Sequence, residues 1–164
     1  MKIRQYVTFG ITSKETTAAE MTARIGIEPD RVSIKGSRIA DPPIPGWHWW
    51  TIVCDQTGIS VGEQISIVLN RIKSQEVEVT NLVSELKGES QPGGAQLSIV
   101  RYFNDLEGED AEWGAIEWSK GIEVAWGLRS HHLLGWNINS DDLGLLVEVG
   151  ASIDVDEYDQ AESA

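Results

Sequence analysis

The residues able to do chemistry in this chain are few and scattered. Its three histidines are His48, His131 and His132, and its one cysteine is Cys54. A zinc site needs three or four ligands converging on one point. Neighbouring strand residues point to opposite faces, so His131 and His132 do not converge. No cysteine pair and no His-x-x-x-His spacing assists them, and neither metal nor cofactor is expected. His48 and Cys54 fall on one face of an expected strand, but six residues of extended chain hold them about 20 Å apart. That distance rules out a thiolate–imidazole pair. Asp154 and Asp156 share a strand face at roughly 6.5–7 Å. Paired carboxylates divide acid and base roles where their environments differ, and at a sheet edge they serve equally well to discourage pairing with other chains. Thr17, Ser60 and Ser140 fit helix caps better than nucleophiles. Gly-x-Ser-x-Gly is absent, and the glycines at 88, 93 and 94 lack the Gly-Lys-Ser/Thr of a phosphate loop. No catalytic residue is assigned, and the reading leans away from an enzyme.

Binding chemistry is easier to place. The chain holds seven tryptophans, three of them at Trp47, Trp49 and Trp50. Lys35-Gly36-Ser37-Arg38 is the one locally basic loop of an acidic chain, and reads either as an anion-binding loop or as a polar turn. Lys35 and Arg38 with Trp47, His48 and Trp50 make a candidate small-ligand pocket. Farther on, Glu107, Glu109 and Asp110 precede Trp113. Such a stretch can steer a basic protein and anchor it with an aromatic side chain. The competing reading is a solvated loop over a tryptophan that closes the core.

The elements around these residues follow from periodicity. Trp47–Cys54 is aromatic and β-branched, follows a Pro-rich turn, and is apolar on both faces, so it is expected as a central strand covered on both sides. Ile3–Ile11 alternates, with Ile3, Val7, Phe9 and Ile11 inward. Thr17-Ala18-Ala19-Glu20 and Ser60-Val61-Gly62-Glu63 match capping boxes. The first opens a short helix ended by Gly26 and Pro29. The second opens a helix with Val61, Ile65, Val68, Leu69 and Ile72 on one face. Ser74-Gln75 interrupts it, and Val79, Leu82, Val83 and Leu86 mark a second helix ended by Gly88. Arg31–Ile34 and Gln96–Phe103 read as strands, Asn104–Glu112 as an exposed acidic loop, and Gly121–Trp126 as a short strand. A strand is expected over Leu133–Ile138. Ser140 then caps a helix that buries Leu143, Leu146 and Val147 and stops at Gly150. The last strand, Ala151–Asp156, turns Ala151, Ile153 and Val155 inward. The sum is an α+β fold: a mainly antiparallel sheet with helices packed on one face, strand–helix–strand units at both ends and a helix pair between.

Bulk properties bound the rest. The length of 164 residues suits one domain, expected over 1–160, with 161–164 a disordered acidic tail. The net charge of −13 disfavours nucleic acid and anionic membranes and favours basic partners, although an acidic solvated surface needs no partner at all. The start lacks the apolar run of a signal peptide and no stretch approaches a membrane span, so a cytoplasmic protein is expected. The lone cysteine agrees with a reducing compartment.

Three pieces together resemble a known family. They are Gly26-Ile27-Glu28-Pro29 ahead of Lys35-Gly36, then Trp47-x-Trp49, then Leu134-Gly135-Trp136 through the closing Gly150-Ala151-Ser152-Ile153-Asp154-Val155-Asp156-Glu157-Tyr158. They are similar to the bacterial domain-of-unknown-function 4279 family across nearly the whole chain, the closing run being the most specific. The resemblance implies a single bacterial domain of this length and supplies no catalytic residue. Some relatives are suspected immunity proteins beside secreted toxins. The leading expectation is therefore a non-enzymatic interaction domain that masks a basic partner, with a small-ligand binder or enzyme as the alternative. The sequence leaves the oligomeric state open.

Overall fold

The computed structural model describes residues 1–39, 42, 44–110 and 135–160. Its organising strand is β1 (Lys2–Ser13), which alternates inward Ile3, Val7, Phe9 and Ile11 with outward Arg4, Tyr6 and Thr8. The helix α1 (Ala18–Ile25) opens on a complete capping box, Thr17 with Glu20, and closes on Gly26 at φ 74°, a left-handed position that glycine takes at no steric cost. After β2 (Arg31–Ser33) comes β3 (His48–Cys54), whose last residue is followed by a turn into α2 (Val61–Lys73). Ser60 and Glu63 form the second capping box, and α3 (Glu76–Leu86) follows after a two-residue break. β4 (Gly94–Phe103), the short β5 (Glu109–Asp110), α4 (Ser140–Val149) and β6 (Ser152–Asp159) complete the described elements.

The class is α+β. The sheet order is β2-β3-β1-β4-β6, with β5 joined to the start of β1. Every pairing is antiparallel except β4 with β6, which run parallel. The core takes one face of each of the three inner strands: Val7, Phe9 and Ile11, then Trp50 and Ile52, then Leu97 and Ile99. Against these lie Met21 and Ile25 of α1, Ile65, Val68, Leu69 and Ile72 of α2, and Leu82, Val83 and Leu86 of α3. Fully burying aliphatic and aromatic side chains of this size contributes about 1.5–3 kcal/mol each.

Several expectations need correction. β3 does lie between β2 and β1, but among the described residues only one of its faces packs into the core. Trp50 is fully buried, whereas Trp49 is 38% exposed on the opposite face. Strand alternation must send adjacent tryptophans to opposite faces, and the core occupies one of them. Trp47 precedes the strand, and the Lys14 ammonium lies 4.7 Å from its ring centre. Gly135–Asn139 is irregular rather than part of a strand, because it crosses α2. Gly62 leaves room there for Asn137, and Asn139 Nδ2 donates to Ser66 Oγ at 3.3 Å. The cap of α4 is consequently Asn139, whose side chain accepts from the Asp142 N–H at 2.8 Å, and not Ser140.

The buried stripe of α4 is Asp142, Leu145, Leu146 and Val149, while Leu143 and Val147 are exposed. Asp142 turns inward to accept from Ser66 Oγ at 2.6 Å, and that polar anchor sets the rotation of the helix. β6 is an edge strand among the described residues, and all eight of its residues are exposed, Ile153 and Val155 included. The loop after β4 is not simply solvated: Asp105 is buried, and Glu109–Asp110 pair with β1. The expected strand Gly121–Trp126, together with Trp113, His131, His132 and the tail 161–164, lies outside the described residues. No helix among the described residues is long and apolar enough to cross a membrane.

Candidate functional site

One concavity grows out of an interruption in the sheet. Along one side of β1, Lys2 and Ile3 pair with β5, and pairing with β3 begins only at Val7. Arg4, Gln5 and Tyr6 therefore have no strand beside them there among the described residues. Side-chain amides span the break instead. Gln5 Nε2 donates to the Ile59 carbonyl at 3.0 Å, and Gln64 Nε2 donates to the Gln56 carbonyl at 2.8 Å. A buried glutamine needs partners for both ends of its amide. Here the Oε1 atoms of Gln5 and Gln64 have none among the described residues.

A cleft of about 380 Å³ opens over this break. Arg4, Gln5 and Tyr6 of β1 line it with Tyr102 of β4 and with Asp55, Gln56, Thr57 and Ile59. Arg31 of β2 and the turn Glu107-Gly108-Glu109 complete it. The turn is firmly held. Arg4 Nε donates to Asp105 Oδ2 at 2.6 Å, the Glu107 N–H donates to Asp105 Oδ1 at 3.0 Å, and the Gly108 N–H donates to the Asp105 carbonyl at 2.9 Å. A side chain at 108 would collide with the Ile3 backbone, its Cβ falling 2.6 Å from the carbonyl carbon, so only glycine lets the turn lie this close. Arg4 also lies over the Tyr102 ring at 4.5 Å.

The electrostatics follow from these contacts. The hydrogen bond from Arg4, then that from the Glu107 N–H, holds the Asp105 carboxyl below the usual carboxylate range. Burial, then a hydrogen bond with Tyr102, pushes the Tyr6 phenol up despite the nearby Arg4 and Arg31 charges. With Arg4 committed to Asp105, the cleft keeps three carboxylates, Asp55, Glu107 and Glu109, against the guanidinium of Arg31.

The structure brings Glu107 and Glu109 to this rim, with Asp110 next to them on β5. Among the described residues, those of the expected small-ligand pocket are spread over different parts of the fold. Trp50 is in the core, its indole N–H donating to Thr22 Oγ1 at 3.1 Å. His48 Nδ1 accepts from the Lys35 N–H at 3.2 Å, and Lys35 Nζ donates to the Lys14 carbonyl at 2.9 Å. His48 borders a hollow along α1 with Thr17, Ala18 and Pro29, whereas Arg38 borders a separate one with Val32 and Ile44. Asp154 Oδ2 accepts from Gln96 Nε2 at 2.9 Å on the exposed edge strand. The described residues contain no group of three His, Cys, Asp or Glu placed to hold a metal ion.

Sequence reasoning missed Gln5, Tyr6, Tyr102 and Arg31. The available signal was Gln5 itself, a polar residue on the inward face of an otherwise apolar strand.

No curated protein and no solved structure matches the chain. The family model for a domain of unknown function, DUF4279, matches residues 1–160, and the chain belongs to that family.

Proposed function

We propose that the chain is a non-enzymatic interaction domain that recognises a basic protein, and that it acts in the cytoplasm as an immunity-type protein masking that partner. The observation that carries this reading is the acidic turn fixed at the rim of the cleft. Glu107 and Glu109 are presented from a turn already ordered by Arg4 and Asp105, so binding need not order it. The charge of −13 adds long-range attraction for a basic surface. Asp110 and Trp113 extend the proposed contact, the tryptophan as anchor. Cys54, buried and unpaired with another cysteine, is compatible with reducing surroundings.

The test begins with capture of partners from the native cell. Affinity is then measured for wild type, for Glu107→Gln with Glu109→Gln, and for Trp113→Ala. Raising salt from about 0.1 M to about 1 M shortens the screening length from about 10 Å to about 3 Å and should weaken binding steeply. The paired glutamine substitution should weaken binding and flatten its salt dependence, and Trp113→Ala should lose about 2 kcal/mol or more. A captured partner whose affinity ignores both salt and these substitutions would refute the reading.

A further inference from the structure

We infer that the chain associates with a second copy of itself head to tail, the edge strand β6 of one copy adding to the edge strand β2 of the next so that the sheet runs on between them. Among the described residues these two strands close the sheet at its opposite ends. A strand edge carries backbone donors and acceptors that a further strand can use. The directions suit such an addition. β2 is antiparallel to β3, β3 to β1 and β1 to β4, while β6 runs parallel to β4, so β6 points opposite to β2. A second copy set beside the first in the same orientation therefore brings its β2 antiparallel to β6.

The side chains match on both faces. Val32 pairs with Trp50, Ile153 with Leu97 and Val155 with Ile99, so all three lie on the helix side of the sheet. They stay 54%, 41% and 39% exposed, the core being built on the inner strands. On the opposite face, Arg31 pairs with Thr51, Asp154 with Ser98 and Asp156 with Val100. Arg31 is exposed and enters none of the ion pairs among the described residues. Joining β6 to β2 sets apolar beside apolar on the helix side and carboxylate beside guanidinium on the other. Opposite charges across a strand pair stabilise it and like charges destabilise it. β6 against β6 would oppose carboxylate to carboxylate, so the acidic edge rejects its own kind and accepts β2. The contact is short, since β2 holds three residues against the eight of β6. A ladder of that length falls short of the interface a stable dimer needs, so association is weak, with a dissociation constant of about a millimolar. Because the two surfaces differ, each added copy leaves a free edge, and growth does not stop at two.

The experiment follows the weight-average mass of the intact protein by sedimentation from about 10 µM to about 1 mM, approaching that constant. The ionic strength is about 0.15 M, where a Debye length of about 8 Å screens the −13 of one copy from the next. Wild type should gain mass steadily with concentration, while the amides of Arg31–Ser33 and Ser152–Tyr158 shift together in NMR spectra. Arg31→Glu should weaken association about tenfold or more, as should Asp154→Lys with Asp156→Lys, because each sets like charge against like. All three positions are exposed, and thermal melts check that the variants fold. Mixing the two variants should restore association, since each edge then meets the opposite charge on the other chain. Combining all three substitutions in one chain should restore it as well. A protein that stays monomeric through the range would overturn the inference, and so would a mass that levels off at a dimer. Charge-reversed variants that associate as wild type does, or reversals that fail to rescue one another, would sink it equally. The masking of a basic partner stands or falls apart from these outcomes.

Discussion

Adjacent tryptophans on opposite faces of β3 give the sharpest test of the fold. Trp50 is fully buried, donates its indole N–H to Thr22 Oγ1 at 3.1 Å and touches no solvent. Replacing it with Ala removes that hydrogen bond and leaves a cavity between β3 and α1. The expected cost is about 3–5 kcal/mol. For a chain of this size each kcal/mol lowers the melting temperature by about 2–4 °C, so the fall should be roughly 6–20 °C. Trp49 is 38% exposed and rests against Gly10, so its loss opens no internal cavity. A tryptophan buries about 200 Å² when fully covered. Roughly three-fifths of that, at about 25 cal/mol per Å² and discounted by about 10–40% for a compact unfolded state, gives about 2–2.7 kcal/mol. Thermal and urea melts should therefore place Trp50→Ala below Trp49→Ala, by about 1 kcal/mol or more. Thr22→Val combined with Trp50→Phe should show coupling of about 1 kcal/mol for the hydrogen bond. If Trp49→Ala cost as much as Trp50→Ala, the assignment of faces in β3, and with it the placement of the core, would be wrong.

Two further outcomes can be checked on the same apparatus. Asn139→Ala should cost about 1 kcal/mol because it frees the Asp142 N–H, whereas Ser140→Ala, one residue inside the helix, should leave urea midpoints nearly unchanged. Burial alone would raise the pKa of Asp30, but the Arg71 guanidinium and the Val53 N–H hold it below the usual carboxylate value. A carboxyl depressed on folding contributes stability that is complete above its unfolded pKa, about 3.9, and fades as pH falls through the lower folded value. Wild type should therefore lose stability on going below about pH 4, and Asp30→Asn should lose less over the same interval; parallel losses would remove Asp30 from the acid response.

How much of this could be read from the residues depended on whether local chemistry or distant packing decided the outcome. Both capping boxes, the break at Ser74-Gln75 and the glycine stops at Gly26 and Gly150 are local, and the structure has them where the pattern puts them. The rotation of α4 is not local. Leu143, Leu145, Leu146, Val147 and Val149 permit more than one apolar stripe, and the choice is made by Ser66 on another helix, which draws Asp142 inward. The exposure of Ile153 and Val155 was equally hidden, since an alternating strand looks the same at an edge as inside a sheet. For the site, Glu107, Glu109 and Asp110 were singled out by their charge. The cleft they border could not be, because it arises from a register relation: where β5 ends along β1 and where β3 begins.

The position of β1 also has a consequence in time. It precedes every other element in the chain, yet it pairs with β3, β4 and β5, and its longest ladder joins Ile3–Thr12 to Gly94–Phe103. Contacts between such distant segments slow folding, typically to the millisecond-to-second range. On a ribosome the wait is longer. About 80 residues separate Ser13 from Gly94, which at about 5–20 residues per second is roughly 4–16 s of synthesis. Through that interval Val7, Phe9 and Ile11 can meet β3 and the first helices, but the edge that β4 will occupy stays unpaired. A nascent chain in this state is a natural client for chaperones, and slowing elongation between α3 and β4 should lower the yield of folded protein more than the same delay placed after β6.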